Sequence, residues 1–435
     1  MVRIVFFFVL VFFIPNLFAQ SLITIKGQTK SGLSSLPYTN VSLKQALIGT
    51  CSNTEGYFEF NIPEVYMNDT LQLSFIGYET LELPLNTLDA KRIHAFDLKP
   101  SQVELGEVTV LASGLSAKEI LLKAFRKKHK NYPNKYYVRG FYRLEGYVGT
   151  QVHRLIESDL GIRSGNMNFN PRKDHIYVYQ LRKSNDLMNR YGWLRRTAEA
   201  KFYYFLNGEK YIKNELFVIL DHKIPFSKNE VMNYHFTIKE TLVDVNKKYI
   251  VIKGTRFFDK VVNGMNLKQM AIENDSLGIF VEYYINADNY AIEKMKRYFL
   301  PGSKHPLDRK YYAYTEVSFK QIEDTYYPAV FIYEIYGGKE HDMFEDPDNQ
   351  EKRQYQSYRF VVNEWTDKVR AHRKEGKPYL STPYDWLGDL TFPYHPEFWK
   401  SYNMLQRSEP DTLMFQELEK AMPLEQQFII NAEQE

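Results

Sequence analysis

The segment Asn53–Phe60 most constrains what the first part of this chain can fold into. It reads Asn-Thr-Glu-Gly-Tyr-Phe-Glu-Phe, a turn ending in glycine followed by an alternating run of aromatic side chains. Glycine supplies the positive φ that a tight turn needs, and alternation indicates a strand with one buried face. A second glycine turn, Phe75–Tyr78, closes the next apolar run. The pattern predicts a small domain of short strands joined by tight turns.

Five short runs with β-strand character lie between residues 20 and 110. They are Ile23–Gly27, Val41–Lys44, Tyr57–Phe60, Leu71–Phe75 and Ile93–Leu98. Turn residues separate these runs at the short, regular spacing that is typical of a β-sandwich. We therefore expect a sandwich over residues 20–110.

The same residues resemble the carboxypeptidase regulatory-like domain, a small transthyretin-like sandwich. The similarity covers residues 22–100 and is carried by Ile25–Gly27, Leu36–Val41, Gly49–Thr50, Asn53–Phe58 and Ile76–Tyr78. Glu55 stands where the family usually has an aspartate. The resemblance implies a non-catalytic module found in envelope proteins of Bacteroidota, including TonB-dependent receptors. The strand-like segment Leu105–Val110 is similar to the segment that follows the module in those receptors.

Residues 1–19 have the layout of a secretory signal peptide. Arg3 precedes an apolar run, Ile4–Ile14, and the small residue Ala19 ends the segment. The apolar run is shorter than the roughly 20 residues that span a bilayer. We therefore predict export to the periplasm or outer membrane, a mature chain beginning near Gln20, and no transmembrane helix in it. An uncleaved anchor is the alternative.

The composition of the chain argues against nucleic acid binding and internal disulfides, and it favours β-sheet. A net charge of +3 over 435 residues is too small to argue for a nucleic acid partner. The single cysteine, Cys51, cannot form an internal disulfide, and no basic neighbour in sequence activates it, so we expect a passive strand residue. The 34 tyrosines and 30 phenylalanines favour β-sheet.

A second domain, predicted over residues 115–405, begins with a helix. Ser116 and Glu119 form a capping-box pattern, and the apolar side chains from Ala117 to Phe125 fall on one helical face. The basic stretch Arg126–Lys130 complements the helix dipole as a solvated terminus.

Alternating segments then predict a large, twisted antiparallel sheet. In Tyr311–Lys320, for example, apolar residues alternate with polar ones, so we expect one buried face and one solvent-exposed face. With the helix, this sheet resembles the half-barrel of lipoprotein carriers, and Tyr283–Ile292 is similar to one of their hairpins. That resemblance implies a hydrophobic cup for an acyl chain or an apolar partner segment. The alternative is that the apolar face is simply core.

Two other functions are left as alternatives. Alternating aromatic strands also suit an outer-membrane β-barrel-associated protein, although charged residues on both faces of Glu293–Arg297 oppose it. A zinc-dependent peptidase would use the H-x-x-E pair His372 and Glu375 with His395, but two loosely spaced ligands specify a metal site poorly.

Three further segments have structural interpretations. The acidic group Asp342, Glu345, Asp346 and Asp348 lacks the glycine of a calcium loop and is interpreted as a solvated hairpin loop. The aromatic and proline-rich segment Pro383–Trp399 is expected to wrap over the sheet. Residues 406–435 are expected to form a helical tail broken at Pro423.

These observations favour a mainly β, non-catalytic binding or scaffolding protein of the cell envelope. No residue is assigned as catalytic, metal-binding or cofactor-binding, and no cofactor is expected. The expected partner is another envelope protein or a lipid or acyl ligand. Association with the membrane surface is left open.

Overall fold

A computed structural model of the chain describes residues 21–104, 114–164, 175–187, 234–243, 247–256, 261–262, 265–266, 277–301, 313–337, 354–366, 379–380, 387–407 and 409–433. The predicted signal peptide, residues 1–19, and the strand predicted at Leu105–Val110 lie outside these residues. The described part is mainly β, as the alternation and turn patterns predicted.

Two small sheets form the first part of the chain and share one core. Their strands are β1 (Leu22–Ser31), β2 (Ser34–Ser35), β3 (Asn40–Leu43), β4 (Gly49–Cys51), β5 (Tyr57–Pro63), β6 (Thr70–Ser74), β7 (Leu81–Pro84) and β8 (Ile93–Asp97). One sheet has the order β2-β1-β5 with β8 parallel to β1, and the other has the order β4-β3-β6-β7. Phe58 and Phe60 of the first sheet pack with Leu71 and Leu73 of the second. The predicted sandwich is confirmed, and all five predicted runs are strands.

Gly56 forms the turn that the sequence identified. Its φ is 82°, and a Cβ at this position would lie 2.2 Å from the Thr29 carbonyl oxygen. The Asn53 side-chain oxygen accepts hydrogen bonds from the backbone amides of Glu55 and Tyr57, at 3.0 and 2.8 Å. The turn therefore needs glycine both for its conformation and for its close approach to β1.

One large antiparallel sheet dominates the second part. Its strands are β9 (Gln102–Glu104), β10 (Tyr136–Val148), β11 (Gln151–Ser164), β12 (His175–Lys183), β13 (His235–Val243), β14 (Lys248–Arg256), β17 (Leu277–Asn286), β18 (Ile292–Pro301), β19 (Ala313–Ile322), β20 (Thr325–Gly337), β21 (Gln354–Thr366) and β22 (Tyr379–Leu380). The short strands β15 (Val261–Val262) and β16 (Met265–Asn266) pair separately.

The strand order of the large sheet is β22-β12-β11-β10-β21-β20-β19-β18-β17-β14-β13-β9. Among the described strands, the edges β22 and β9 do not pair with each other, so the sheet is open. Strand β9 comes from the segment assigned to the first domain but pairs with β13. The boundaries 20–110, 115–405 and 406–435 remain predictions.

Five α-helices lie in the described part of the chain: α1 (Ala117–Asn131), α2 (Pro396–Ser401), α3 (Glu409–Met414), α4 (Gln416–Glu419) and α5 (Leu424–Glu433). The predicted capping box at α1 is confirmed, because the Ser116 hydroxyl accepts from the Glu119 amide and the Glu119 carboxylate accepts from the Ser116 amide. The predicted break at Pro423 is also confirmed, since α5 begins directly after it.

The apolar face of the large sheet packs against α1. Side chains directly opposite one another on neighbouring strands share a face of a sheet. One such row consists of Tyr283, Met295, Val317, Phe331, Phe360 and Tyr142, all buried. Ile120 and Leu121 of α1 are fully buried in the same core. Next to α1, Tyr132 packs edge-on against Phe319, with ring centres 5.3 Å apart.

The opposite face carries a row of charged side chains, which we call the charged row. It consists of seven charged residues and one isoleucine, each opposite the next on eight adjacent strands: Glu282, Lys296, Glu316, Ile332, Arg359, Arg143, Glu157 and Arg182. The prediction that this face is exposed to solvent is wrong, because Glu316 and Lys320 are both buried. The reason is that other parts of the chain pack on this face.

The C-terminal helices cover one end of the charged row. The ring of Trp399, on α2, lies 4.3 Å from the Arg182 guanidinium, and Phe428, on α5, lies 4.9 Å from it. Beneath them Glu157 accepts from Arg143 and Arg182, both at 2.7 Å. The C-terminal segment is therefore packed onto the sheet, as the structural interpretation of the aromatic residues around Trp399 anticipated.

The sandwich covers the middle of the charged row. Arg359 donates to the Tyr38 hydroxyl at 3.0 Å and also pairs with Glu145. The Trp365 amide donates to the Leu47 carbonyl at 3.1 Å, which joins the two parts through the backbone. These contacts attach the sandwich directly to the sheet.

Replacing Glu157 with Gln should destabilise the fold severely. Burial raises the pKa of Glu157, but Arg182, Arg143 and Arg407 lower it more, and the net pKa is well below the usual range. The variant leaves buried guanidinium groups uncompensated, so we expect a loss of about 3 to 5 kcal/mol at pH 7. Chemical denaturation measures it. The wild-type contribution should be complete above the ordinary glutamate pKa and decline as the solution becomes more acidic.

The matched control is Glu397→Gln, which removes an exposed carboxylate paired with Lys400 on α2. This change should leave the denaturation midpoint unchanged, because exposed ion pairs contribute little. Equal effects of Glu157→Gln and Glu397→Gln would contradict the role assigned to the charged row.

Replacing Tyr38 with Phe should weaken the attachment of the sandwich. Burial raises the pKa of Tyr38 to about 12, so its hydroxyl stays neutral and accepts from Arg359. Loss of a hydrogen bond to a charged group costs about 1.5 to 3 kcal/mol, which urea denaturation resolves. Tyr57→Phe, at an exposed position of β5, is the control and should have no effect. If Tyr38→Phe leaves the free energy of unfolding unchanged, the contact with Arg359 contributes nothing to stability.

Candidate binding site between the sandwich and the sheet

A cavity of about 320 Å³ lies where the sandwich faces the large sheet. The sandwich wall is made by side chains of β3, β6 and β7, and the sheet wall by residues at the start of β14 and β18 and along β19. We call it the interlayer cavity. It lies on the same face of the sheet as the charged row.

The sandwich wall of the cavity is polar because it is the outer face of a small sheet. Asn40 on β3 lies opposite Ser74 on β6, and Gln72 on β6 lies opposite Glu82 on β7. All four line the cavity. The inner face of the same strands carries Val41, which belongs to the sandwich core. The period-two alternation of a strand therefore supplies both surfaces.

A β-bulge shapes the sheet wall. Between β17 and β18 the register passes from Tyr284 opposite Lys294 to Ile285 opposite Ile292, so Glu293 is an inserted residue. Glu293 and Lys294 are adjacent in sequence, yet both line the cavity. Bulges change the direction of side chains in this way. No sequence pattern signals this bulge.

The turn Phe75–Tyr78 forms a third wall. Gly77 has a φ of 92°, and the rings of Phe75 and Tyr78 pack with centres 5.4 Å apart. The Lys294 ammonium lies 5.0 Å from the centre of the Phe75 ring. The sequence identified this segment as a turn and did not indicate that its aromatic side chains reach the second domain.

Two of the three lysines that line the cavity have carboxylate partners. Lys247 pairs with Glu293 at 3.2 Å, and Lys294 pairs with Glu316 at 2.5 Å. Burial raises the pKa of Glu316, but Lys294 and Lys296 lower it by more than burial raises it. The net pKa is below the ordinary value, so the carboxyl is ionised. These groups form fixed ion pairs on the cavity wall.

Lys320 is the exception among the cavity lysines. It is only 7% exposed, its amine donates to the Leu43 carbonyl at 3.3 Å, and it lies 4.9 Å from the centre of the Trp365 ring. Among the described residues, no carboxylate lies within ion-pair distance of it. Burial lowers the pKa of Lys320 to about 8, and the charge of Asp69 opposes this shift.

The residues considered as candidates from sequence lie elsewhere. Cys51 is buried at the contact between sandwich and sheet, and burial raises the pKa of its thiol, as expected for a passive residue. His395 is exposed and precedes α2. His372 and Glu375 lie outside the described residues, as do the acidic group Asp342, Glu345, Asp346 and Asp348 and the segment 383–386.

Two further findings concern the described residues alone. Their His, Cys, Asp and Glu side chains form no group of three that could hold a metal ion. None of their helices has both the length and the apolar character needed to span a membrane.

Comparison with known families identifies the first part of the chain. Residues 25–110 match the CarboxypepD_reg-like domain, which is the family that the turn and strand motifs resemble. The match places a domain of this family in the first part of the chain. A search of curated proteins found no match.

Several solved structures are similar to the chain. A putative outer membrane lipoprotein-sorting protein domain from Vibrio parahaemolyticus is 9% identical, with 57% of this chain and 92% of that chain covered and a TM-score of 0.25. A LolA superfamily protein from Nitrosomonas europaea is 11% identical, with 59% and 97% covered and a TM-score of 0.20. The MucA/MucB complex of Pseudomonas aeruginosa is 6% identical, with 57% and 93% covered and a TM-score of 0.17. TM-scores this low do not support any inference about the ligand or partner of this chain.

Replacing Lys320 with Met should stabilise the protein at neutral pH, by up to about 3 kcal/mol for a pKa lowered from 10.5 to about 8. Between these two values the unfolded chain holds a proton that the folded chain has released, so wild-type stability rises with pH there. The advantage of the variant should therefore shrink from pH 8 to pH 10. Urea denaturation across this range measures it.

Lys26→Met is the control, because Lys26 lies half exposed on β1 and pairs with Glu59. Its effect on stability should be small, because an exposed ion pair contributes little. If the Lys320→Met difference from wild type does not change with pH, Lys320 does not have a lowered pKa.

Proposed function

We propose that this chain is a non-catalytic binding or scaffolding protein of the cell envelope. The pairing of the buried charged groups carries the proposal: Glu145 pairs with Arg359, and Glu157 accepts from Arg143 and Arg182. Lys320, with a pKa of about 8, differs from these groups. General acid–base catalysts work with pKa values near the operating pH. Here the net pKa of Glu145 and of Glu157 is lowered by neighbouring arginines against the effect of burial, and burial raises that of Tyr38 to about 12. These groups are held in one protonation state at neutral pH, which suits a structural role.

The attachment of the sandwich supports a scaffolding role. The sandwich is joined to the sheet by the hydrogen bond from Arg359 to Tyr38, by that from Trp365 to Leu47 and by a backbone bridge between Ile48 and Glu364. Asn61 and Asn403 also exchange hydrogen bonds at 2.7 and 3.0 Å. A module held at several points contributes rigidity and presents a fixed surface.

The apolar face of the sheet is the surface we propose for a hydrophobic ligand. Next to α1 it stays partly open at β13, where Ile238 is 39% exposed and Phe236 is partly buried. Ile238 lies opposite Ile252, which lies opposite Tyr283 in the buried apolar row. An acyl chain bound here would extend that row. An apolar segment of a partner protein is the other occupant to be distinguished.

The test is to purify residues 20–435 without detergent and to identify co-purified lipids, proteins and metals by mass spectrometry. We expect bound acyl lipid. Ile238→Glu should abolish it, because the new carboxylate would lie in the apolar contact. Thr237→Glu is the matched control, since Thr237 lies on the other face, opposite Lys253, and is exposed.

Three outcomes would change the proposal. Stoichiometric zinc would support a hydrolase instead. A co-purified protein that Ile238→Glu removes would identify the ligand as a partner segment. Lipid retained equally by both variants would place the lipid site elsewhere. Envelope location is tested separately, by cell fractionation and by sequencing the mature N-terminus, which we expect near Gln20.

A further inference from the structure

We propose that the interlayer cavity binds a small organic carboxylate, with the ammonium group of Lys320 as its counter-charge. The cavity lies between the sandwich and the charged face of the sheet, on the opposite side from α1 and the apolar row. The site is therefore separate from the proposed lipid surface, and either proposal stands if the other fails.

The size of the cavity selects a small ligand. Ligand sites usually have volumes of about 300 to 1,000 Å³, and this cavity, at about 320 Å³, lies at the lower end. A single aromatic or short polar body suits this space. A long acyl chain does not.

The charges of the cavity select a monoanion. Lys247 and Lys294 are neutralised by Glu293 and Glu316, and Glu82 is neutralised by Lys44. Glu323 also lines the cavity but is exposed, so solvent screens its charge. Asp69 acts on Lys320 from beyond ion-pair distance and accepts hydrogen bonds from the backbone amides of Gln45 and Ala46. Lys320 therefore supplies one positive charge without a carboxylate partner among the described residues. One carboxylate would compensate it, whereas a second negative charge would be desolvated without a partner.

The remaining walls indicate the body of the ligand. Phe75 and Tyr78 provide aromatic surface, and Asn40 and Gln72 provide amide donors and acceptors. Aromatic rings pack against other flat apolar groups, and a few polar groups orient the ligand. An aromatic carboxylate that carries polar substituents fits this combination.

The experiment measures binding of 4-fluorobenzoate to the mature chain, residues 20–435, by fluorine NMR. We expect saturable binding at pH 7. The neutral analogue 4-fluorobenzamide and the dianion 4-fluorophenyl phosphate should both bind at least about tenfold more weakly, because each mismatches the single charge. Raising the pH from 7 to 9 should weaken fluorobenzoate binding about tenfold, as Lys320 loses its proton with a pKa of about 8.

Two variants locate the site. Lys320→Gln should weaken fluorobenzoate binding at least about tenfold by removing its counter-charge. Ser74→Leu, on the sandwich wall, should block binding by filling the cavity while Lys320 remains. Lys26→Gln makes the same change in net charge on the exposed surface of β1 and should bind like wild type.

Several results would overturn the proposal. These are no saturable binding to the wild type, equal binding of fluorobenzoate and fluorobenzamide, or binding unchanged by both Lys320→Gln and Ser74→Leu. Tighter binding of the phosphate would show that the site takes a dianion. Because Ser74→Leu keeps Lys320, the site can still be tested if Lys320→Gln fails to fold.

Discussion

Compensation of buried charge on one face of the large sheet is the constraint on which the rest of this structure depends. A buried ion is costly unless it is paired and hydrogen-bonded. Glu157, held between Arg143 and Arg182, meets that condition only beneath the C-terminal helices. Arg359, held by Tyr38 and Glu145, meets it beneath the sandwich. The sandwich and the C-terminal segment are thus needed as covers for a face that would otherwise be solvated.

The interlayer cavity follows from the same packing. One wall of the cavity is the polar outer face of β3 and β6, and the other is the charged face of the large sheet. The bulge at Glu293 turns two adjacent charged side chains into that space, and both have partners. Lys320 lies in the same layer with a backbone carbonyl and an aromatic ring as its contacts.

The two faces of the sheet suggest two separate roles. The apolar face packs against α1 and is partly exposed at Ile238, which is where we propose that an acyl chain binds. The charged face holds the layers together, and its Lys320 is the residue we propose for binding a small carboxylate. Opposite chemistry on the two faces is a direct consequence of side chains alternating along each strand.

The sequence by itself determined the local elements. The Asn53–Phe60 turn, the α1 capping box and the break at Pro423 each depend on a few neighbouring residues, and all were predictable. Alternation likewise predicted the large antiparallel sheet. Only the tertiary structure decided that the polar side chains of the alternating strands, such as Glu316 and Lys320, are buried. Alternation places side chains on two faces of a sheet but does not indicate what packs on either face. That outcome depends on contacts between residues hundreds of positions apart, which no local pattern encodes.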